Sequence, residues 1–323
     1  MEIGSFLELD IRNTGEYYDF KTNILRLNSA RAGIYHACML YNCTTIYMPF
    51  YLCPTVSDFL NKKGIKIIHY RINDNFEPDN VIQTEQSAFL IVNYFGILSQ
   101  KKIKKIALKY KNVIVDNSAA FFSPPLMEYI NIYSVRKFFG VPDGCYVIAK
   151  NAEKYKDVYQ QDYSSDTACF LLKRIEYGCS AVYADRMKNE KRIDESDIML
   201  MSYLTKTLLE GIDYKSIKKK RKANFEQTHL LYKKVNLIDP HKFLDNLSVP
   251  MVYPLVYLDP DLVDKLNKNG IYTGRWWKSV VPKVPQNSFE NLLSQYMIPL
   301  PIDQRYDFEI IKKIKNIIFQ IMK

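Results

Sequence analysis

The chain has 323 residues, 47% hydrophobic and 25% charged, which is enough apolar material for one large domain and a smaller one. No stretch stays apolar for the length of a membrane helix. Met1–Asp10 has neither a basic lead nor a small-residue cleavage site, so neither a membrane span nor a secretory signal is expected. The net charge of +10 accompanies an abundance of Lys, Ile, Asn and Tyr and reads as compositional bias. Its densest cluster, Lys218–Lys222, falls on a helical stretch with no nucleic-acid motif beside it. It reads as a solvated face, so no nucleic-acid partner is expected.

In chain order, an extended segment runs into Leu27–Gly33, where small residues open a helix over about 31–42. Strands are predicted at Thr45–Met48, Ile65–Tyr70, Ala88–Val92, Val113–Val115, Ile130–Tyr133 and Cys145–Ile148, with further helices at about 54–63 and 101–110. Strands alternating with helices imply an α/β fold, a mainly parallel sheet covered by helices on both faces. Residues 151–235 read as largely helical, broken at Gly211–Asp213. A second α/β unit follows: a strand in Val249–Tyr257, a helix from Asp261 to Asn269 closed by Gly270, a strand at Ile271–Trp277 and a last helix from Asp307 to Met322. The expected division is a large domain over 1–210 and a small one over 211–323.

Cysteines at 38, 43, 53, 145, 169 and 179 form no Cys-x-x-Cys pair and read as small buried hydrophobes in a reducing cytoplasm. The four histidines sit in unrelated contexts, so no metal site is expected.

In such sheets ligands gather at the carboxyl ends of strands, and Asn93, Asp116 and Ser134 stand at three of them. Lys137 follows closely, beside Phe138 and Phe139 and before Asp143-Gly144. An apolar cleft would lower its pKa and free the amine to form an imine, and a strand-end acid could meet a pyridinium nitrogen. The plainer alternatives are a surface Arg-Lys pair at 136–137 and an Asx-turn at Asp116. Leu27–Gly33 offers helix-start amides and Arg31 to a phosphate, or else an ordinary N-cap at Asn28 or Ser29. Arg136 is a further phosphate candidate. In Phe50–Pro54 an aromatic could cover a flat ring, although aromatics are common throughout this chain.

Taken together, Asn28–Gly33, Pro49–Gly64, Asn93-Tyr-Phe-Gly96, Val115-Asp116, Lys137 before Asp143-Gly144 and Ile298-Pro-Leu-Pro301 resemble the DegT/DnrJ/EryC1/StrS family of sugar aminotransferases. The resemblance runs through nearly the whole chain. It implies the fold-type-I architecture, a mainly parallel seven-stranded sheet with a smaller C-terminal domain, and the cofactor pyridoxal 5'-phosphate. It implies that Lys137 binds the aldehyde and Asp116 the pyridinium nitrogen. Phosphate would be held by Ser134 with the Arg31 and Ala32 amides, and Cys53 or Tyr51 would lie over the ring. It further implies a homodimer, an amino-acid donor such as glutamate, and a nucleotide-linked ketosugar acceptor, as used in making surface polysaccharides. Arg275, Trp276 and Trp277 are candidate substrate contacts.

The chain departs from the family pattern at Ala119, where Gln usually touches the phenolic oxygen; Ser118 or Asn117 could replace that contact. It departs again at Ile198, near the usual partner-reaching Asn, and at Cys145, the usual second glycine. These changes feed two rival readings. One is a scaffold or regulatory protein that keeps the fold without turnover. The other is a sugar dehydratase using the aminated cofactor, against which Lys137 itself argues.

Overall fold

The computed structural model describes residues 4–20 and 22–321. Its first part consists of β1 (Ile24–Leu27), α1 (Ala30–Leu40), β2 (Thr45–Pro49), α2 (Pro54–Lys62), β3 (Lys66–Tyr70), β4 (Ser87–Val92), α3 (Gln100–Ala107), β5 (Val113–Asp116), β6 (Ile130–Ser134) and β7 (Cys145–Ile148). A mostly helical stretch follows: β8 (Gln160–Gln161), α4 (Ser165–Ala181), α5 (Tyr183–Glu195), β9 (Met199–Leu200), α6 (Tyr203–Glu210) and α7 (Tyr214–Tyr232). The last part holds β10 (Val252–Val256), α8 (Leu262–Lys268), α9 (Phe289–Tyr296), β11 (Met297–Pro301) and α10 (Phe308–Ile321). The end of the predicted last helix, Met322, lies outside the described residues.

The large sheet runs β3-β2-β4-β5-β6-β7-β1, with the short β9 and β8 extending its edge. From β3 to β6 the neighbours are parallel, and β7 is antiparallel to both β6 and β1. This is the predicted α/β sheet, with seven main strands. β4, Ser-Ala-Phe-Leu-Ile-Val, is buried along its whole length, as a central strand covered on both faces requires. α1 starts at Ser29, whose side chain accepts from Ala32 N–H. It then presses on the sheet at Gly33, where a Cβ would stand 3.0 Å from Cys145 Sγ and 3.1 Å from Val147 Cγ2. A glycine here allows the close helix–sheet approach. α3 turns Ile103, Ile106 and Ala107 inward, leaving Lys101, Lys104 and Lys105 toward solvent.

A second, two-stranded antiparallel sheet pairs β10 with β11, and α7 and α9 pack on it. The predicted strand at Ile271–Trp277 does not form: the segment is a loop ending at Trp277 in the left-handed region (φ 58°), and β11 takes the place beside β10. The basic run 218–222 is also not uniformly a solvated face, because Arg221 is 2% exposed and points into the protein.

His36 on α1 is fully buried, with Nδ1 2.7 Å from the Tyr159 hydroxyl and Nε2 2.8 Å from the Ala152 carbonyl. Burial holds its pKa below the ordinary 6.5, opposed in part by the carbonyl. Burial lowers His69 and His229 as well. A histidine kept neutral in the fold binds its proton more readily when unfolded. Its stability contribution is therefore complete above about pH 6.5 and is lost as pH falls from there through the folded pKa. Thermal unfolding followed against pH is expected to show that loss, with a shallower slope in His36→Gln. An equal slope in the variant would contradict it.

Candidate active site

The carboxyl ends of β4, β5 and β6 open onto one cavity of about 280 Å³. Asp116 and Ser118 line it from the end of β5, and Ser134, Arg136 and Lys137 from the end of β6. Ser29, Ala30 and Arg31 close it at the start of α1. Glu190, Ile193 and Asp194 of α5 form a side, and Tyr94, Phe95, Trp276 and Trp277 an aromatic wall.

Asp116 is 5% exposed, and its Oδ1 accepts from Ser118 N–H at 2.8 Å, the Asx-turn anticipated as the plainer alternative. Among the described residues no Lys, Arg or His pairs with it. A buried carboxylate without a cation is costly, so this end of the cavity suits a positively charged ligand atom.

Lys137 borders the cavity but is exposed in the single chain, and its amine has no partner among the described residues. The apolar cleft expected from Phe138 and Phe139 is absent. Both rings point the other way, into a core cluster with Phe121 and Phe122. Phe121 stands 4.7 Å from Phe139 and 5.9 Å from Phe138, ring centroid to centroid. The aromatics therefore weld the turn carrying Lys137 to the loop that follows Asp116, which fixes lysine and acid on the same cavity.

Also on the cavity, Ser118 Oγ and Arg31 Nε are buried without a hydrogen-bond partner among the described residues. They share the cavity lining with Ser134 and with Ala30 and Arg31 at the N-terminus of α1, where free amides and the helix dipole favour an anion. The Ala32 amide is not free, since it donates to Ser29 Oγ, so the amides left to a ligand are those of Ala30 and Arg31. The Arg31 side chain is also largely spoken for: Nη1 donates to Asp194 Oδ1 at 2.7 Å and Nη2 to the Ile193 carbonyl. Arg136 Nη2 donates to Glu190 Oε1. Each arginine thus faces an acid from α5, a helix that sequence reasoning did not connect to the site. Its acids carry no local signal, since they lie 54 and 163 positions from their partners.

Cys53 lines the cavity at the N-terminus of α2. Tyr51 does not: it is fully buried, with its ring 4.6 Å from Trp277 in an edge-to-face contact, so it backs the aromatic wall. Asn93 is likewise behind the surface, donating to Asn117 Oδ1 and accepting from Leu98 N–H, and it shapes the turn after β4. That turn needs Gly96 (φ 73°), where a Cβ would meet the Ala119 carbonyl at 2.5 Å. Trp276 and Trp277 reach the cavity, but Arg275 turns away to the Asp259 and Pro260 carbonyls.

Asp143 plays no part in the cavity. Fully buried, it accepts from Ser202 N–H and Oγ and from Thr205 Oγ1, anchoring the end of the β6–β7 hairpin to the start of α6. Burial raises its pKa against the pull of these bonds. Asp143→Ala strands three donors and is expected to cost about 3 kcal/mol of stability, readable by denaturant unfolding. A cost near zero would contradict the anchoring role.

No protein-family model matches the sequence, and no curated protein matches it. Solved structures do match, and the class they define is the fold-type-I architecture of pyridoxal-phosphate-dependent aminotransferases. Bacillus subtilis NtdA, solved with bound cofactor PMP, is 16% identical with a TM-score of 0.65, over 92% of this chain and 73% of that one. The sugar aminotransferase CalS13 of Micromonospora echinospora is 11% identical with a TM-score of 0.63, over 92% and 87%. A DegT DnrJ EryC1 StrS aminotransferase from Brucella abortus is 12% identical with a TM-score of 0.58, over 92% and 85%. At such identities the likeness is one of fold.

The residues present fit pyridoxal phosphate. An unpaired buried acid, the unpartnered buried donors Ser118 Oγ and Arg31 Nε, and a free lysine amine border one cavity.

Proposed function

We propose that this protein is a pyridoxal-phosphate-dependent aminotransferase that moves an amino group from an amino acid, glutamate in class, to a nucleotide-linked ketosugar. The observation that carries this reading is the unpaired Asp116 on the same cavity as the free amine of Lys137. Bound there, pyridoxal phosphate supplies an aldehyde and an electron-withdrawing ring. Lys137 Nζ would hold the aldehyde end and would serve as the general base and acid for the proton that amino transfer moves. Asp116 would hold the ring nitrogen and favour its protonated form. Ser118, Ser134 and the Ala30 and Arg31 amides hold the phosphate, and Trp276 and Trp277 cover the sugar. The region from 211 onward acts as the smaller, substrate-covering domain. Production of a surface polysaccharide in the cytoplasm is the setting this chemistry suits.

We read the protein as a homodimer. α4 buries just Ala168, while Leu172, Ile175 and Tyr177 on α4 and Tyr183 on α5 are each at least 60% exposed. Apolar surface left open in this way calls for a partner, and a second copy is the reading taken from the family resemblance. Light scattering is expected to give twice the chain mass, and a monomer at micromolar concentration would exclude it.

The function is tested by loading the protein with pyridoxal phosphate, reducing with borohydride and mapping the labelled peptide. The label is expected on Lys137. A label elsewhere, or none, overturns the assignment. The rival scaffold reading draws on Ala119 and on the pairing of Arg31 and Arg136 with α5 acids. Conversion of the loaded protein to its pyridoxamine form by glutamate excludes that rival.

A further inference from the structure

Arg221 on α7 has no acid in hydrogen-bonding contact among the described residues, although it is 2% exposed. The nearby Asp303 is held instead by Arg305, through Nε at 2.7 Å and Nη2 at 2.8 Å. A buried guanidinium without a counter-charge costs free energy, so what it touches matters. Its Nε donates to Gln304 Oε1 at 3.0 Å and its Nη1 to the Met251 carbonyl at 2.9 Å. Its guanidinium carbon lies 4.5 Å from the centre of the Phe138 ring, a cation–π distance. Gln304 Nε2 in turn donates to the Phe138 carbonyl at 2.9 Å.

Phe138 directly follows Lys137, so ring and carbonyl of this one residue are gripped from α7 and from the loop after β11. The grip extends to the opposite wall of the cavity. Met251 N–H donates to the Phe95 carbonyl at 2.8 Å, and Phe95, in the left-handed region at φ 58°, stands beside Trp276. A non-glycine residue held at such an angle needs its surroundings to keep it there.

We propose that Arg221 and Gln304 are positioning residues: together they clamp the Lys137 turn, and through Met251 the Phe95 wall, so that the lysine amine faces the acid across the cavity. The role assigned to the amine rests on the proposed function; the clamp on the turn does not. Gln304 is half-buried, so Gln304→Ala removes the bond to the Phe138 carbonyl and the acceptor of Arg221 Nε without opening the core. Arg221→Met keeps apolar bulk over Phe138 and removes the fork.

The first measurement is amide hydrogen exchange on the chain without cofactor. In Gln304→Ala, exchange across 134–140 is expected to rise about five-fold, the equivalent of losing the bond to the Phe138 carbonyl, with the backbone amides of α7 and β10 unchanged. Unchanged exchange across 134–140 in that folded variant overturns the clamp, whatever Arg221→Met does. The second measurement is spectroscopic, on protein loaded with pyridoxal phosphate. The pH midpoint of the Lys137-dependent visible absorbance is expected to shift by about half a unit, a three-fold change in the proton equilibrium, in both variants. A midpoint equal to wild type in both would reduce the pair to a structural role and overturn positioning. If wild-type protein shows no such absorbance, the proposed function falls, while the exchange experiment still decides the clamp.

Discussion

Lys137→Ala is expected to abolish amino transfer, with a loss of at least about 10⁴-fold, because one atom is asked both to anchor the cofactor and to move the proton. No neighbour can take over: the amines nearest in sequence lie elsewhere on the surface, and Arg136 is held by Glu190. The fold should be indifferent. The side chain is exposed and unpartnered among the described residues, so its removal is expected to change stability by less than about 0.5 kcal/mol. Thermal unfolding and a donor half-reaction, run on the same preparation, separate the two effects. Wild-type turnover in a folded Lys137→Ala protein would refute the proposed function outright.

Asp116→Asn gives the second large effect. The amide oxygen can still accept from Ser118 N–H, so the turn after β5 survives. The negative charge does not, and with it would go the proposed partner of the cofactor's ring nitrogen. Losing a charge-assisted contact in a buried site is worth about 3–4 kcal/mol, so turnover is expected to fall about 10²–10³-fold. Stability without cofactor is expected to hold or rise, since an unpaired buried charge has been removed. Opposite movement of the two readouts is the signature of a charge kept for a ligand. Parallel loss of both would mean that Asp116 serves the fold alone.

The main architecture was legible because its signal is local. A run such as Ser87–Val92 can bury every side chain just as a central parallel strand, and the six predicted strands of the large sheet all form. Ile271–Trp277 misled for the complementary reason: an apolar run does not say which strand it pairs with, and β10 pairs with β11 while this segment stays a loop. Lys137 and Asp116 could be singled out, but Phe138 and Phe139 do not line a cleft around the lysine. An aromatic beside a lysine reads the same whether it lines a cleft or fills a core, and here it fills the core. Arg221 was hidden in a basic run for the same reason, since charge alone does not say which helix face is buried.

What the chain's sequence determined by itself is the succession of strands and helices along the chain, a capped helix start at Asn28 or Ser29 and the presence of a lysine and an acid near strand ends. Each depends on neighbours within a few residues. Tertiary structure decided which groups meet across the cavity: Asp194 on Arg31, Glu190 on Arg136, and Gln304 on the carbonyl after Lys137, pairs separated by 163, 54 and 166 positions. Contacts over such spans are set by how helices and sheet pack, and no local periodicity records them. The lysine was visible in the sequence; what holds it and what faces it were not.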